Sequence, residues 1–212
     1  MTWFALAGFI TLYVWNIRHI DWQEFRQTTF LQHLVFGAGA SIFILWLFRA
    51  GIYEGLDVHF LWLSALTLTL GFRYALFIGG IALFATTLVG KESWEMLGAN
   101  GLLGVTLPIA LTYAIYSFSF HRVPRHLFVY VFINAFFPGA LMIALKMFFL
   151  GGFYVLDGVH TWQIVNDNFL VLIPLLLFPE AMLNGMTMTL LIIYKPHWVK
   201  TFKDDHYFDP EK

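Results

Sequence analysis

The sequence predicts an all-α, polytopic membrane protein, a helical bundle of seven transmembrane helices, from its composition and its long apolar runs. Of the 212 residues, 59% are hydrophobic and only 12% are charged, whereas a soluble domain has about 25% charged residues. Such a composition cannot cover a water-facing surface, and disordered chains have the opposite bias. We therefore expect a single integral membrane domain over residues 1–212.

Seven apolar segments are candidates for spanning helices, since a bilayer core takes about 20 apolar residues as a helix. In chain order they are Trp3–Ile17, Phe30–Ala50, two short helices within 59–90, Asn100–Phe120, Leu127–Leu150 and Phe169–Tyr194. One helix over 59–90 would be about 48 Å long against a hydrocarbon core of about 30 Å, so we place a break at Gly71-Phe72-Arg73. The transmembrane core is then about residues 3–194, followed by a polar cytoplasmic tail, 195–212.

The basic residues predict the orientation of the bundle. With seven spans, one side holds nine Lys and Arg and the other side holds three. The nine are Arg18, Arg26, Arg73, Arg122, Arg125, Lys195, Lys200, Lys203 and Lys212, and the three are Arg49, Lys91 and Lys146. The positive-inside rule then places the N-terminus outside and the tail in the cytoplasm, in a multi-pass protein of the inner (plasma) membrane.

Acidic residues and histidines gather on the predicted outer side. Asp57 and His59 stand at the mouth of the third helix, and Asp157 and His160 lie in the long loop 151–168. Nitrogen and oxygen donors suit divalent first-row metals, and long loops often bind ligands. The pattern predicts metal binding by these four residues. The alternative is that they are solvated loop residues, with Asp57 acting as a helix N-cap.

Polar residues inside the spans form a second candidate site. Glu180 and Asn184 lie one turn apart on the same face of the seventh span, next to Pro179. An ionisable group within a span is costly and usually faces the bundle interior or a cavity. Together with Asn100, these two residues are predicted to line a substrate cavity. The alternative is that Glu180 is a protonated, hydrogen-bonded structural acid.

Several classes of protein are excluded by what the sequence lacks. There is no P-loop, no His-Glu-x-x-His zinc helix and no Gly-x-Ser-x-Gly elbow. The chain has no cysteine, which excludes disulfides, thiolate metal sites and cysteine nucleophiles. Lys and Arg (12) nearly balance Asp and Glu (13), so no basic face is available for nucleic acid. We do not expect an enzyme; the remaining enzymatic interpretation uses Glu180 as an acid/base group.

Three stretches resemble the CbiM/NikM family, the substrate-binding membrane components of energy-coupling factor (ECF) transporters for cobalt and nickel. They are Asp57-Val58-His59, the Leu70-Gly71 turn that follows the histidine, and Leu97-Gly98-Ala99-Asn100, and the resemblance covers roughly residues 30–150. It implies an outside N-terminus, His59 as a metal ligand and Asn100 as a residue that shapes the site. The chain departs from the family by opening Met1-Thr2-Trp3-Phe4 instead of Met-His-Ile-Pro-Asp-Gly, and by carrying Leu103 in place of an asparagine.

The resemblance also implies a function. The chain would be the CbiM-like permease or substrate-capture component of an ECF transporter, with a divalent transition metal of the cobalt or nickel type as substrate and no permanently bound cofactor. Its partners in the lipid bilayer would be a membrane coupling (T) component and ATPase subunits. The alternative is a non-transporting membrane scaffold or assembly factor that kept the fold, lost the metal site and binds another membrane protein complex.

Overall fold

The computed structural model describes residues 1–120, 122–123 and 126–202. The helices are α1 (Thr2–Arg18), α2 (Trp22–Gln27), α3 (Thr29–Leu47), α4 (Leu63–Leu70), α5 (Phe72–Leu88), α6 (Leu97–Ser119), α7 (Leu127–Leu156), α8 (Trp162–Asn168) and α9 (Ile173–Tyr194), with 3₁₀ turns at Leu170–Leu172 and Pro196–Trp198. Within these ranges the β pairing is limited to an isolated bridge between Ala50 and Val58. The all-helical prediction is confirmed.

Four helical stretches in the described residues are long and apolar enough to cross a membrane. They are Thr29–Leu47, Leu97–Ser119, Leu127–Leu156 and Trp162–Tyr194, and Phe72–Leu88 is a shorter apolar helix. Large apolar side chains such as Trp3, Phe36 and Phe178 are exposed on the outside of the bundle, where lipid would cover them. The count of seven spans and their orientation remain predictions.

The short helix α4 lies at the centre of the bundle. All eight of its residues are buried, and it packs against α5, α6, α7 and α9. At 1.5 Å per residue the helix is about 12 Å long, so its helical residues alone do not reach across a bilayer core. It ends at Gly71, where a φ of 78° is a conformation that glycine adopts without steric cost. The chain therefore breaks into α4 and α5 at Gly71, as the length of the apolar stretch predicts.

Side chains of α9 accept hydrogen bonds from the backbone N–H groups at the N-terminal end of α4. The backbone N–H groups of Leu61 and Trp62 donate to the two carboxylate oxygens of Glu180, at 2.9 and 2.8 Å. The N–H of Ala65 donates to Oδ1 of Asn184 at 2.8 Å. The first N–H groups of a helix have no partner within the helix, and polar groups left without a partner inside a membrane bundle are costly. Glu180 and Asn184 therefore supply the acceptors that allow a helix to begin there.

The segment after α9 donates hydrogen bonds to the backbone carbonyls at the C-terminal end of α4. The N–H groups of Lys200 and Thr201 donate to the carbonyls of Thr69 and Leu68, and the Thr201 hydroxyl also donates to Leu68, at 2.7 Å. This segment differs from the expected polar tail because Thr201 and Phe202 are buried. Residues 203–212, including the tail histidine His206, lie outside the described part of the chain.

Two helices contain a π-helical segment just before a proline. The first covers Asn100–Thr106 and precedes Pro108, and the second covers Phe132–Phe136 and precedes Pro138. A proline has no N–H and its ring clashes with the carbonyl four residues earlier, so a locally wider helix relieves the clash. Because π segments shift the helix register, they also determine which side chains face the bundle interior. Asn100, at the start of the first segment, is buried.

Gly98 allows α1 to approach α6 closely. A Cβ at this position would overlap the backbone of Ala5 and Leu6, and backbone atoms cannot move aside without displacing α1. We expect Gly98→Ala to lower the free energy of unfolding by about 1–3 kcal/mol, the usual cost of overpacking. Thermal unfolding of the purified protein in detergent measures this loss.

Gly152→Ala is the matched control for that substitution. Gly152 is also helical, and a Cβ there would meet nothing within 4 Å. An alanine at such a position is neutral or slightly stabilising. Equal melting temperatures for the two variants would contradict the close approach of α1 and α6.

Candidate functional site

The connections that the sequence places on the outer side meet at one end of the bundle. Arg49, after α3, contacts Glu92, which lies between α5 and α6. Beyond α7, Nε2 of His160 lies 2.9 Å from the carbonyl oxygen of Glu54, and the carboxylate of Asp157 lies 2.6 Å from the amine of Met1. These contacts join four parts of the chain that are distant in sequence.

Arg49 is the charged centre of this end. Its Nη1 donates to the carboxylates of Asp57 at 2.8 Å and Glu92 at 2.6 Å, and its side chain is only 7% exposed. The second oxygen of Glu92 accepts from Nδ2 of Asn100 at 2.6 Å. Both oxygens of Glu92 are thus already hydrogen-bonded. Arg49 Nη2 is buried and has no partner among the described residues.

His59 is buried beside this ionic group and held in one orientation. Its Nδ1 lies 3.0 Å from the carbonyl oxygen of Phe60, and since a carbonyl only accepts, Nδ1 carries the proton. Its Nε2 lies 2.8 Å from Nζ of Lys146, on α7. An ammonium group only donates, so Nε2 accepts that bond. The ring also packs on Trp46, with centroids 5.3 Å apart. Both nitrogens of His59 therefore have partners.

A very small cavity adjoins these residues. Its polar lining consists of His59, Glu92, Asn100 and Lys146, and its volume is about 10 Å³. A space of this size holds about one water molecule. In this conformation the site admits nothing larger than a water molecule or a single ion.

The structure brings some of the sequence-predicted site residues together and separates others. Asn100 and His59 line the same cavity, and Asp57 is joined to it through Arg49. Glu180 and Asn184 are not among its lining residues and instead bind the start of α4. Asp157 and His160 bond to Met1 and to the Glu54 carbonyl. Among the described residues, no three or more His, Cys, Asp or Glu side chains are grouped so as to hold a metal ion.

Sequence reasoning missed the two basic residues of the site. Arg49 and Lys146 belong to the three Lys and Arg that fall on the predicted outer side, where the charge distribution predicts orientation but no site. A basic residue on the side that is otherwise poor in Lys and Arg, close to several acidic residues, is the sequence feature that could have indicated a buried ion pair there. Glu92 lies on the predicted outer side as well, and nothing in the neighbouring sequence distinguishes it from other acidic residues there.

Comparisons with known proteins agree with this fold. A transition metal transporter, solved as the crystal structure of a truncated form, has a TM-score of 0.70 with this chain at 16% identity, and the match covers 92% of this chain and 93% of that one. Among the curated proteins none matches the chain. The model of the CbiM family, described as the cobalt uptake substrate-specific transmembrane region, matches residues 1–198. Because that match covers nearly the whole sequence, the chain belongs to the CbiM family.

Proposed function

We propose that this protein is the membrane-embedded capture component of an uptake system for a divalent transition metal of the cobalt or nickel type. The observation that carries the proposal is the fixed orientation of His59. Its Nδ1–H is bound to the Phe60 carbonyl, so its Nε2 faces a buried polar cavity lined by Asn100 and Glu92. Histidine ligands are typically held in this way, with one nitrogen bound to a carbonyl and the other directed at the metal. Family membership supports the same substrate class.

The proposal extends to partners and location. The sequence contains no nucleotide-binding motif, so transport would require ATPase subunits and a membrane coupling component of the ECF type. The protein would lie in the inner membrane with the His59 end outside, as the distribution of Lys and Arg predicts. Copurification with ATPase subunits from the native membrane would support this arrangement.

Metal-dependent stabilisation tests the proposal. Purified wild-type protein is expected to melt at a higher temperature with Co²⁺ or Ni²⁺, by the equivalent of about 2.7 kcal/mol at a hundredfold excess over the dissociation constant. His59→Ala is expected to abolish the shift because it removes the proposed ligand. His33→Ala, which removes an exposed histidine of α3, is the control and should keep the shift. His160→Ala tests separately whether the loop contributes a ligand. Absence of any shift in wild type with cobalt, nickel, zinc or copper would refute metal capture.

A second candidate function is favoured by one contact. Lys146 already occupies Nε2 of His59, which is what a membrane scaffold or assembly factor that has lost the metal site would show. Such a protein would copurify with another membrane complex that lacks ATPase subunits, and metal would not stabilise it.

A further inference from the structure

The ammonium group of Lys146 stands where a metal ion would bind His59. The Nδ1–H of the imidazole is engaged by the Phe60 carbonyl, which leaves Nε2 as the nitrogen able to coordinate a metal. Nζ of Lys146 lies 2.8 Å from that nitrogen. A metal–imidazole bond is about 2.0–2.1 Å long, so the two cations cannot share Nε2.

The charged groups that line the cavity or form the Arg49 ion pairs balance one another without a metal. Arg49 and Lys146 carry positive charge, and Asp57 and Glu92 carry negative charge, so the four groups sum to zero. Burying an additional divalent cation here would leave two uncompensated positive charges, which is costly in a poorly hydrated interior. Without the lysine the remaining three groups carry a net negative charge, which favours a cation.

The packing also shows that the lysine side chain is accommodated in the site. Lys146 is 6% exposed, and its side chain passes Gly104 on α6, where a Cβ would meet Cε of Lys146 at an ordinary contact distance of 3.6 Å. The adjoining cavity of about 10 Å³ has no space for both the ammonium group and a hydrated ion. Binding at His59 therefore requires the lysine to leave.

From these contacts we infer that Lys146 is a tethered competitor for the metal position on His59. A divalent cation binds there only when the Lys146 side chain moves away, so Lys146 sets the affinity of the site. The inference rests on the proposed function only in taking a divalent transition metal as the ligand.

Substitution of Lys146 tests the inference in the full-length protein. Isothermal titration of purified protein with NiCl₂ and with CoCl₂ is expected to give a dissociation constant at least about tenfold lower for Lys146→Ala than for wild type, because a competing buried positive charge is gone. The double variant His59→Ala/Lys146→Ala should lose this increase in affinity. Lys91→Ala, which removes an exposed lysine beside Glu92, should bind as wild type does. Lys146→Gln keeps an N–H donor without the charge, so its dissociation constant should lie between those of wild type and Lys146→Ala. It replaces the alanine variant if that variant does not fold.

The outcomes separate this inference from the proposed function. Tighter nickel or cobalt binding by Lys146→Ala that is lost in the double variant supports the competitor role. If the wild type binds no metal while Lys146→Ala does, the proposed metal uptake fails and the inference holds. Equal affinities in wild type and Lys146→Ala overturn the inference and leave the proposed function standing. If neither protein binds nickel or cobalt, both fail.

Discussion

Arg49→Met is expected to lower the free energy of unfolding by about 3–5 kcal/mol, the usual cost of removing one partner from a buried ion pair. The side chains of Asp57 and Glu92 are only 18% and 11% exposed, so both would be left as poorly solvated carboxylates. The substitution would also release the connection after α3 from the one between α5 and α6. Thermal unfolding in detergent, followed by circular dichroism, measures the loss.

Two further variants identify the cause of that loss. Lys91→Met changes an exposed cation in the same connection and should alter stability by no more than about 0.5 kcal/mol. Adding Asp57→Asn and Glu92→Gln to Arg49→Met removes the unpaired charges and should recover part of the stability. If Arg49→Met melts at the same temperature as Lys91→Met, the ion pairs contribute little to the fold.

Glu180→Ala is expected to lower the free energy of unfolding by about 2–4 kcal/mol, because it leaves one buried and one partly buried N–H group without an acceptor. These are the N–H groups of Leu61 and Trp62. Trp62 also has a φ of 56°, a left-handed conformation that costs a non-glycine residue about 1–2 kcal/mol and that the bond to Glu180 helps to maintain. Amide hydrogen exchange over α4, combined with thermal unfolding, checks both the size and the location of the effect.

Glu180→Gln and Glu95→Ala complete the experiment. Glu180→Gln keeps one oxygen acceptor and should lose less stability than Glu180→Ala. Glu95 is exposed, so Glu95→Ala should have almost no effect. Unchanged hydrogen exchange of α4 in Glu180→Ala would rule out a role for this carboxylate in beginning the helix.

Features with a local cause could be predicted from the sequence. Apolar runs bounded by charged residues predict most helix positions, and the excessive length of the 59–90 stretch predicts a break that Gly71 provides. The interior position of Glu180 follows from the cost of exposing an acid to lipid. Each of these inferences uses residues close together in the chain.

Features that depend on packing could not be predicted. Lys146 and His59 are 87 residues apart, and Glu180 and Leu61 are 119 apart, so their contacts depend on how the helices pack. Hydropathy likewise gives no reason for Thr201, in a polar segment, to bind Leu68 in the centre of the bundle. The π segment that starts at Asn100 changes the register of α6, and a regular 3.6-residue period does not predict that change.

The dependence of α4 on late parts of the chain has a consequence for biosynthesis. Its partners Asn184 and Thr201 lie 119 and 133 residues beyond the groups they bind, and at about 5–20 residues per second the ribosome needs about 6–27 s to reach them. During that interval the short helix has emerged without the hydrogen bonds that close its two ends. The central helix α4 therefore cannot acquire its final hydrogen bonds until α9 and the segment that follows it have been synthesised.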